Sequence, residues 1–295
     1  MSKKTFSQLV KDELCEVKIN SGEARAELAS MILFGENTDN GKMIFKTDKA
    51  NIAARIQFVL KKVTGEEIPI DITNGRKNFC IEINSDITDC AGVYYTDGGE
   101  IEFDEDVYEE ESFKKAFLRG AFIISGTITD PMKGYSSELI TYNENMSYLA
   151  VEILENFGIK SNTVKRNSNY VTYLKDRESV GDFLSIIGAH KMMMELIVAH
   201  IQKDMNNRNN RASNCLTANM DKAIAASVTQ CNAIMKLQKT PFCETLDEEK
   251  KTLAQLRLDN FDLSLTALGE KMSPRMTKSS VNRRFTKLIE LADKH

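Results

Sequence analysis

Two segments about 90 residues apart repeat the same order of apolar and polar positions. In each copy a helix rich in small apolar residues, beginning near Leu28 or Leu118, precedes a strand-like piece and an amphipathic helix. Alternating, strand-like pieces follow at Phe79–Ile83 and Tyr170–Leu174. The pattern predicts an α+β protein with two tandem α-β-β-α-β-β-α halves. Because small residues let helix backbones approach, we expect the halves to pack through Ala29, Ser30, Gly120 and Ala121.

Strand patterns end near residue 190, and this change predicts three parts. Residues 1–190 hold the two halves, at about 1–100 and 112–190, joined by an acidic run, Asp104–Glu111, that we interpret as a solvated linker or a helix start. Residues 191–240 are predicted to be a helical linker, and Thr240-Pro241 opens a C-terminal domain at 241–295. The linker pattern favours two helices, Met192–Met205 and Met220–Leu237, around a polar run at 206–211.

The pattern of residues 241–295 predicts three short helices. Thr245 and Glu248 have the spacing of a capping box for the first, and Ser264 and Thr277 are the predicted caps of the second and third. Ser273-Pro274 ends the second helix. The third helix carries one apolar stripe at helical spacing: Val281, Phe285, Leu288, Ile289 and Ala292.

Composition indicates a cytoplasmic protein without a cofactor or metal. The six cysteines are scattered with no Cys-x-x-Cys pair, a spacing that favours neither a zinc site nor a disulfide framework. No apolar run reaches the ~18 residues that span a bilayer, so we expect no membrane contact. The net charge of −4 hides an asymmetry: residues 1–190 carry 22 Lys/Arg and 31 Asp/Glu, whereas residues 191–295 carry 17 and 12. A basic C-terminal part favours a polyanionic partner there.

The outer face of the third helix carries side chains that suit a DNA major groove, because Arg matches guanine, Asn matches adenine and Lys neutralises phosphate. The hydroxyls at the start of the second helix suit a phosphate. The predicted contacts to double-stranded DNA are Ser264, Thr266, Lys278, Ser279, Ser280, Asn282, Arg283, Arg284, Thr286 and Lys287. These helices predict a helix-turn-helix. The alternative is a three-helix oligomerisation cap with a solvated outer face.

The chain resembles the WhiA family of Gram-positive bacteria, and the resemblance covers nearly all of it. It is carried by five segments: Phe6–Leu14, Leu118–Phe122, Asn207–Arg211, Ser264–Gly269 and Thr277–Arg283. The resemblance implies a degenerate LAGLIDADG homing-endonuclease-like domain fused to a C-terminal helix-turn-helix. Members of this family act in transcription of developmental genes, including sporulation, or in cell division and chromosome segregation.

A LAGLIDADG nuclease needs a carboxylate at the end of each motif helix to hold divalent metal ions. The alignment of the motif places Gly35 and Ser125 at these positions, with Glu36 one residue past the first and Asp130 beyond the second. We therefore expect no catalytic residues and no enzyme, and residual nuclease activity is the remote alternative.

The sequence predicts a sequence-specific transcriptional regulator that is associated with the nucleoid. The alternative is a nucleoid- or division-associated protein with largely sequence-neutral DNA contact. Because residues 1–190 are net acidic, we expect them to act as a scaffold or to bind other transcription or division proteins, with weak DNA contact as the second choice. Arg208 and Arg211 are candidates for a secondary phosphate contact, or they pair internally.

Overall fold

The computed structural model describes residues 4–35, 43–73, 78–95 and 101–294. These residues form two compact units, Met1–Lys203 and Asp204–His295. In the described ranges, no helix combines the length and the apolar character that crossing a membrane requires.

The first half of the N-terminal unit contains a three-stranded antiparallel sheet in the order β1-β3-β2, with Phe45 opposite Ile81. A separate hairpin, β4-β5, follows it and was not predicted. The elements of this half are α1 (Phe6–Cys15), α2 (Ser21–Phe34), β1 (Met43–Thr47), α3 (Ala50–Thr64), β2 (Asp71–Thr73), β3 (Asn78–Ile83), α4 (Ser85–Cys90), β4 (Val93–Tyr95) and β5 (Ile101–Phe103).

The second half has the predicted α-β-β-α-β-β-α order, and its sheet has the strand order β6-β7-β9-β8. Its elements are α5 (Glu111–Ser125), β6 (Thr127–Ile128), β7 (Ser137–Thr141), α6 (Glu144–Asn156), β8 (Asn162–Arg166), β9 (Asn169–Leu174) and α7 (Arg177–Ile187). The order β7-β9-β8 repeats β1-β3-β2, which confirms the internal repeat. A counterpart of β6 would come between α2 and β1, where residues 36–42 lie outside the described residues.

Helices α2 and α5 pack against each other in the centre of the unit, as their small residues predict. A Cβ atom on Gly120 would lie 2.2 Å from Ser30 Oγ and 2.4 Å from the Glu27 carbonyl oxygen. Ala29 and Ala121 are also fully buried. Glycine at position 120 is therefore what allows the two backbones to touch.

A buried ion cluster joins these two helices to α3. Glu27, with no exposed surface, accepts hydrogen bonds from Arg55 Nε at 2.7 Å and Nη2 at 2.8 Å, and from Arg119 Nε at 2.8 Å. Both arginines are also buried, at 3% and 5% exposure. One carboxylate thus binds two guanidinium groups away from water.

Carbonyl groups near the ends of two helices offset part of the excess positive charge of this cluster. Arg55 Nη1 donates to the Val17 carbonyl at 2.6 Å, just past the end of α1, and Arg119 Nη1 donates to the Ile187 carbonyl at 3.4 Å, at the end of α7. A helix C-terminus carries roughly half a negative elementary charge. These two carbonyl groups offset part of the charge of the second guanidinium, while Arg119 Nη2 is buried without a hydrogen-bond partner among the described residues.

The first and last helices of the unit are joined directly. Glu13 of α1 accepts hydrogen bonds from the backbone N–H groups of Lys191 at 2.7 Å and Met192 at 3.0 Å. These two residues begin helix α8 (His190–Gln238). Because the first N–H groups of a helix have no partner within it, Glu13 caps α8 from a distant part of the chain.

The acidic run before α5 is a helix start, the second of the two predicted roles. Glu111 begins α5, and a short 3-10 helix, Glu105–Tyr108, precedes it. Asp104 and Asp106 are not simply solvated, because they bind the Arg25 guanidinium at 2.6 and 2.7 Å. These ion pairs anchor the segment to α2.

The prediction of two helices between residues 192 and 237 was wrong. A single helix of 49 residues, α8, runs through the polar run at 206–211. Asparagine has a weak helix preference, and a run of it is typical of a turn. The structure keeps this segment helical although its side chains are all exposed from residue 204 to residue 226.

The C-terminal unit contains three further helices, α9 (Glu248–Asp259), α10 (Leu265–Lys271) and α11 (Lys278–Lys294). The N-cap of α9 differs from the prediction. Asp247, not Thr245, caps α9 by accepting a hydrogen bond from the Lys250 N–H, and Thr245 belongs to a 3-10 helix. The predicted caps Ser264 and Thr277 are confirmed, with bonds from the N–H groups of Ala267 and Ser280.

Candidate nucleic-acid interface

The C-terminal unit is built around the apolar stripe of α11. Val281, Phe285, Leu288 and Ala292 are buried, as the helical spacing predicts, and Ile289 is half-buried beside them. They pack against apolar residues of the other helices: Ile234 and Leu237 of α8, Leu253 and Ala254 of α9, and Leu268 and Met272 of α10. The end of α8 therefore belongs to the same core as the three short helices.

A tight backbone contact fixes the turn between α10 and α11. The Met276 N–H donates to the Gly269 carbonyl at 2.9 Å, and a Cβ atom on Gly269 would lie 2.2 Å from the Met276 carbonyl oxygen. No side chain fits between the two segments. This contact sets the angle at which α11 leaves the turn, in the arrangement of a helix-turn-helix.

A buried arginine holds the other turn, between α9 and α10. Arg257 Nη1 donates to the carbonyl oxygens of Asn260, Phe261 and Leu263, at 3.4, 3.3 and 2.7 Å. Its guanidinium lies 5.4 Å from the centroid of the Phe285 ring, and burial lowers its pKa. Sequence reasoning missed this residue. The sign in the sequence was the position of Arg257 one helical turn after Leu253, which places it on the buried side of α9.

Replacing Arg257 with methionine is expected to destabilise the C-terminal unit by about 2–3 kcal/mol, because three carbonyl groups lose a charged donor. Hydrogen exchange of the amides in α9–α11 measures this change. Arg275 is exposed, so Arg275→Met serves as the control and should change protection by less than about 0.5 kcal/mol. Equal protection in Arg257→Met and the control would show that the turn does not depend on the guanidinium.

One face of α11 is open to solvent over two turns. Its exposed side chains follow helical spacing and comprise Lys278, Ser279, Asn282, Arg283, Thr286 and Lys287. None of the ion pairs found among the described residues involves Lys278, Arg283 or Lys287. The face carries three positive charges and ends at Glu290. Three cations and several hydrogen-bonding groups therefore point away from the core.

Two predicted contact residues lie on a different side. Arg284 forms an ion pair with Glu249 of α9 and a hydrogen bond with the Ser280 hydroxyl. Ser280 and Arg284 are only partly exposed. Arg284 therefore connects α11 to α9, Ser280 holds Arg284 within α11, and we do not include either residue in the outward face.

The start of the second predicted helix, α10, holds two of the predicted contact residues. The Ser264 hydroxyl accepts the Ala267 N–H as the cap of α10, and Thr266 is exposed next to it. Arg275, which sequence reasoning did not select, is exposed in the turn that enters α11. Its position directly after Pro274, between two predicted helices, was the available signal. Arg208 and Arg211 are both exposed on α8.

The ends of the motif helices in the N-terminal unit carry no acidic side chain among the described residues. Gly35 and Gly126 are the C-caps of α2 and α5. The Ser125 hydroxyl donates to the Ala121 carbonyl of its own helix at 3.1 Å. Asp130 accepts the Met132 N–H in a loop turn, and Glu36 lies outside the described residues. The described part of the chain holds no group of three His, Cys, Asp or Glu side chains arranged for a metal ion.

The chain is similar to known proteins over its whole length. Residues 114–206 match the WhiA LAGLIDADG-like domain, and residues 209–292 match the WhiA C-terminal HTH domain. A "Probable cell division protein WhiA" of Ruminiclostridium cellulolyticum is 33% identical over 305 residues, which cover 98% of this chain and 97% of that protein.

Two solved structures show the same fold. The full-length WhiA protein of Thermatoga maritima superposes with a TM-score of 0.57 at 22% identity, covering 99% of each chain. The N-terminal LAGLIDADG domain of a WhiA protein gives a TM-score of 0.50 at 21% identity, covering 63% of this chain and 94% of that one. With a repeated LAGLIDADG-like unit, a helix-turn-helix unit and a relative one third identical over nearly its full length, this chain belongs to the WhiA family.

Proposed function

We propose that this protein is a sequence-specific DNA-binding regulator, and that α11 enters the major groove. The observation that carries the proposal is the outward face of α11. It presents Asn282 and Arg283 on the second helix of a helix-turn-helix, with Lys278 and Lys287 at its flanks. Asn and Arg side chains read adenine and guanine edges, whereas lysines bind phosphates of any sequence. Thr266 lies in α10, and Arg275 lies in the turn between α10 and α11. Both are close to α11 in sequence and would add phosphate contacts.

In this proposal the N-terminal unit serves as a scaffold or binds other proteins, and it is not the main DNA-binding surface. Strand register places Lys46, Asp71 and Glu82 on the outer face of the first sheet, and Glu138 and Arg166 on that of the second. Arg166 binds Glu138 at 3.0 Å. The described residues of these faces carry three acids and two bases, a balance that does not favour binding to a phosphate backbone. The name of the relatives, with its reference to cell division, supports a role in that process.

Arg283→Ala and Asn282→Ala are each expected to weaken binding to a cognate site by about 1–3 kcal/mol and to relax its sequence preference. Lys278→Ala and Lys287→Ala should weaken binding to all sequences alike and reduce the salt slope by about one. The measurement is equilibrium binding of the full chain to duplexes selected from a random pool, with Mg²⁺ present and with recovery of uncut DNA checked.

Arg177→Ala and Lys160→Ala, at a partly exposed and an exposed position of the N-terminal unit, are the matched controls. If these controls reduce binding as much as the α11 variants do, α11 is not the main contact. Genome-wide occupancy distinguishes the two forms of DNA binding. Discrete promoter peaks support a transcription regulator, and diffuse coverage supports a sequence-neutral chromosomal protein.

A further inference from the structure

A groove of about 1730 Å³ opens on the N-terminal unit between α1, β1, the start of α3 and the end of α5. We call it the α1 groove. One wall, formed by α1 and the residues just before it, includes Lys4, Lys11 and Cys15, and the opposite wall includes Ile44, Lys46 and Tyr142. The volume exceeds that of a typical small-molecule site. The DNA-binding proposal above does not use any of these residues as a contact.

The charge of the groove differs from that of the unit around it. Among the described residues, five cationic side chains and three carboxylates line it, whereas residues 1–190 as a whole carry nine more acids than bases. Three of the cations already have partners: Lys4 binds Asp12 at 2.6 Å, Lys49 binds Asp48 at 2.7 Å, and Arg55 binds Glu27. Lys11 and Lys46 remain, and no ion pair found among the described residues includes them.

Lys11 is the more unusual of the two. Its ammonium group lies 5.9 Å from the centroid of the Phe122 ring, and no hydrogen bond from it to a described residue is formed. Burial lowers the pKa of Lys11 to about 8. Lys11 is partly buried, and an ammonium in such a position without an anion nearby loses part of its solvation. An anion bound next to the Lys11 ammonium would replace the lost solvation.

The groove also offers hydroxyl donors and an apolar wall. Thr47 Oγ1 accepts the Lys49 N–H at 3.2 Å, which leaves its hydroxyl hydrogen available to a ligand. Ile44 precedes Lys46 by two residues on the same face of β1, and Tyr142 is half exposed on the opposite side. Cations, a hydroxyl and an aromatic ring in one concavity match a phosphorylated molecule that carries a planar ring.

We propose that the α1 groove binds a small phosphorylated ligand of nucleotide size, with its phosphates at Lys11 and Lys46 and its ring against Ile44 and Tyr142. A small anion is favoured over duplex DNA because the positive region is local. A duplex that reached the groove would also lie against the surrounding acidic surface, and its phosphates would be repelled there. The site is separate from α11, so either proposal can fail without the other.

The test is equilibrium binding of a fluorescent ATP analogue to the full chain, with inorganic tripolyphosphate as the competitor. Binding should be displaced by tripolyphosphate and weakened about tenfold or more by Lys11→Met and by Lys46→Met. Lys18→Met, an exposed lysine just after α1, is the matched control and should leave binding unchanged. Lys11→Arg should retain most of the affinity, and tyrosine fluorescence during denaturation shows whether each variant is folded.

Three results would overturn the proposal. The first is no binding of the analogue at millimolar concentration. The second is equal binding by folded Lys11→Met and the wild type. The third is a loss of duplex DNA binding in Lys11→Met while binding of the ATP analogue is unchanged, which would assign the groove to nucleic acid instead.

Discussion

Replacing Glu27 with glutamine is expected to lower the free energy of unfolding of the N-terminal unit by about 3–5 kcal/mol. Glu27 is fully buried and is the only carboxylate hydrogen-bonded to Arg55 and Arg119 among the described residues. A glutamine keeps the shape but not the charge, and its amide NH₂ would face a guanidinium group. Two arginine charges would then lie in the core with only the ends of α1 and α7 to balance them.

The chain itself provides a specific probe for this measurement. It contains no tryptophan, and all eight tyrosines lie between residues 94 and 173. Tyrosine fluorescence during urea denaturation therefore reports on the N-terminal unit alone. Glu16→Gln, an exposed neighbour, is the control and should change stability by less than about 0.5 kcal/mol.

A second variant separates charge from shape. In the double variant Glu27→Gln with Arg119→Met, the buried cluster has the same net charge as in the wild type. We expect this double variant to lose less stability than the sum of the two single variants. Additive losses would show that the charge of Glu27 is not what the arginines require.

Gly120→Ala is expected to destabilise the same unit by about 3 kcal/mol or more. The added methyl group would lie 2.2 Å from Ser30 Oγ and 2.4 Å from the Glu27 carbonyl oxygen. The second contact is with backbone, so no rotamer change relieves it, and α2 and α5 must move apart. Separation would also stretch the hydrogen bond from Arg119 to Glu27.

The control for this variant is Gly181→Ala. Gly181 lies inside α7, and a Cβ atom there would meet no atom within 4 Å. Alanine is favoured over glycine in a helix, so this variant should gain about 0.5–1 kcal/mol. The double variant Gly120→Ala with Ser30→Ala should recover little, because the backbone contact remains. Full recovery in that double variant would mean that the Ser30 hydroxyl alone requires glycine at position 120.

Periodicity along the chain predicted the elements whose side chains alternate between core and solvent. The stripe from Val281 to Ala292 and the repeat of the two halves are of this kind, since each is a regular pattern over a short window. The close approach at Gly120 was also predictable, because small residues cluster in both motif helices.

Contacts between distant residues were not predictable in this way. Glu27 is 28 residues from Arg55 and 92 from Arg119, and no local pattern joins them. A charge next to a run of small and apolar residues, as at Glu27 and Arg119, was the one available sign of a buried pair. In the candidate interface, the contact of Arg284 was also not predictable from the sequence. It borders the apolar stripe of α11, and only the position of Glu249 on α9 decides which way it turns.

The capping of α8 by Glu13 has a consequence for folding of the protein during its synthesis. The carboxylate and the N–H groups that it binds are 178 and 179 residues apart in the chain. During synthesis α1 leaves the ribosome long before the segment that it must hold, and pairings across such separations form slowly. The N-terminal unit therefore closes only after its final helix has emerged, and a nascent chain that stalls earlier exposes the surface that α8 covers.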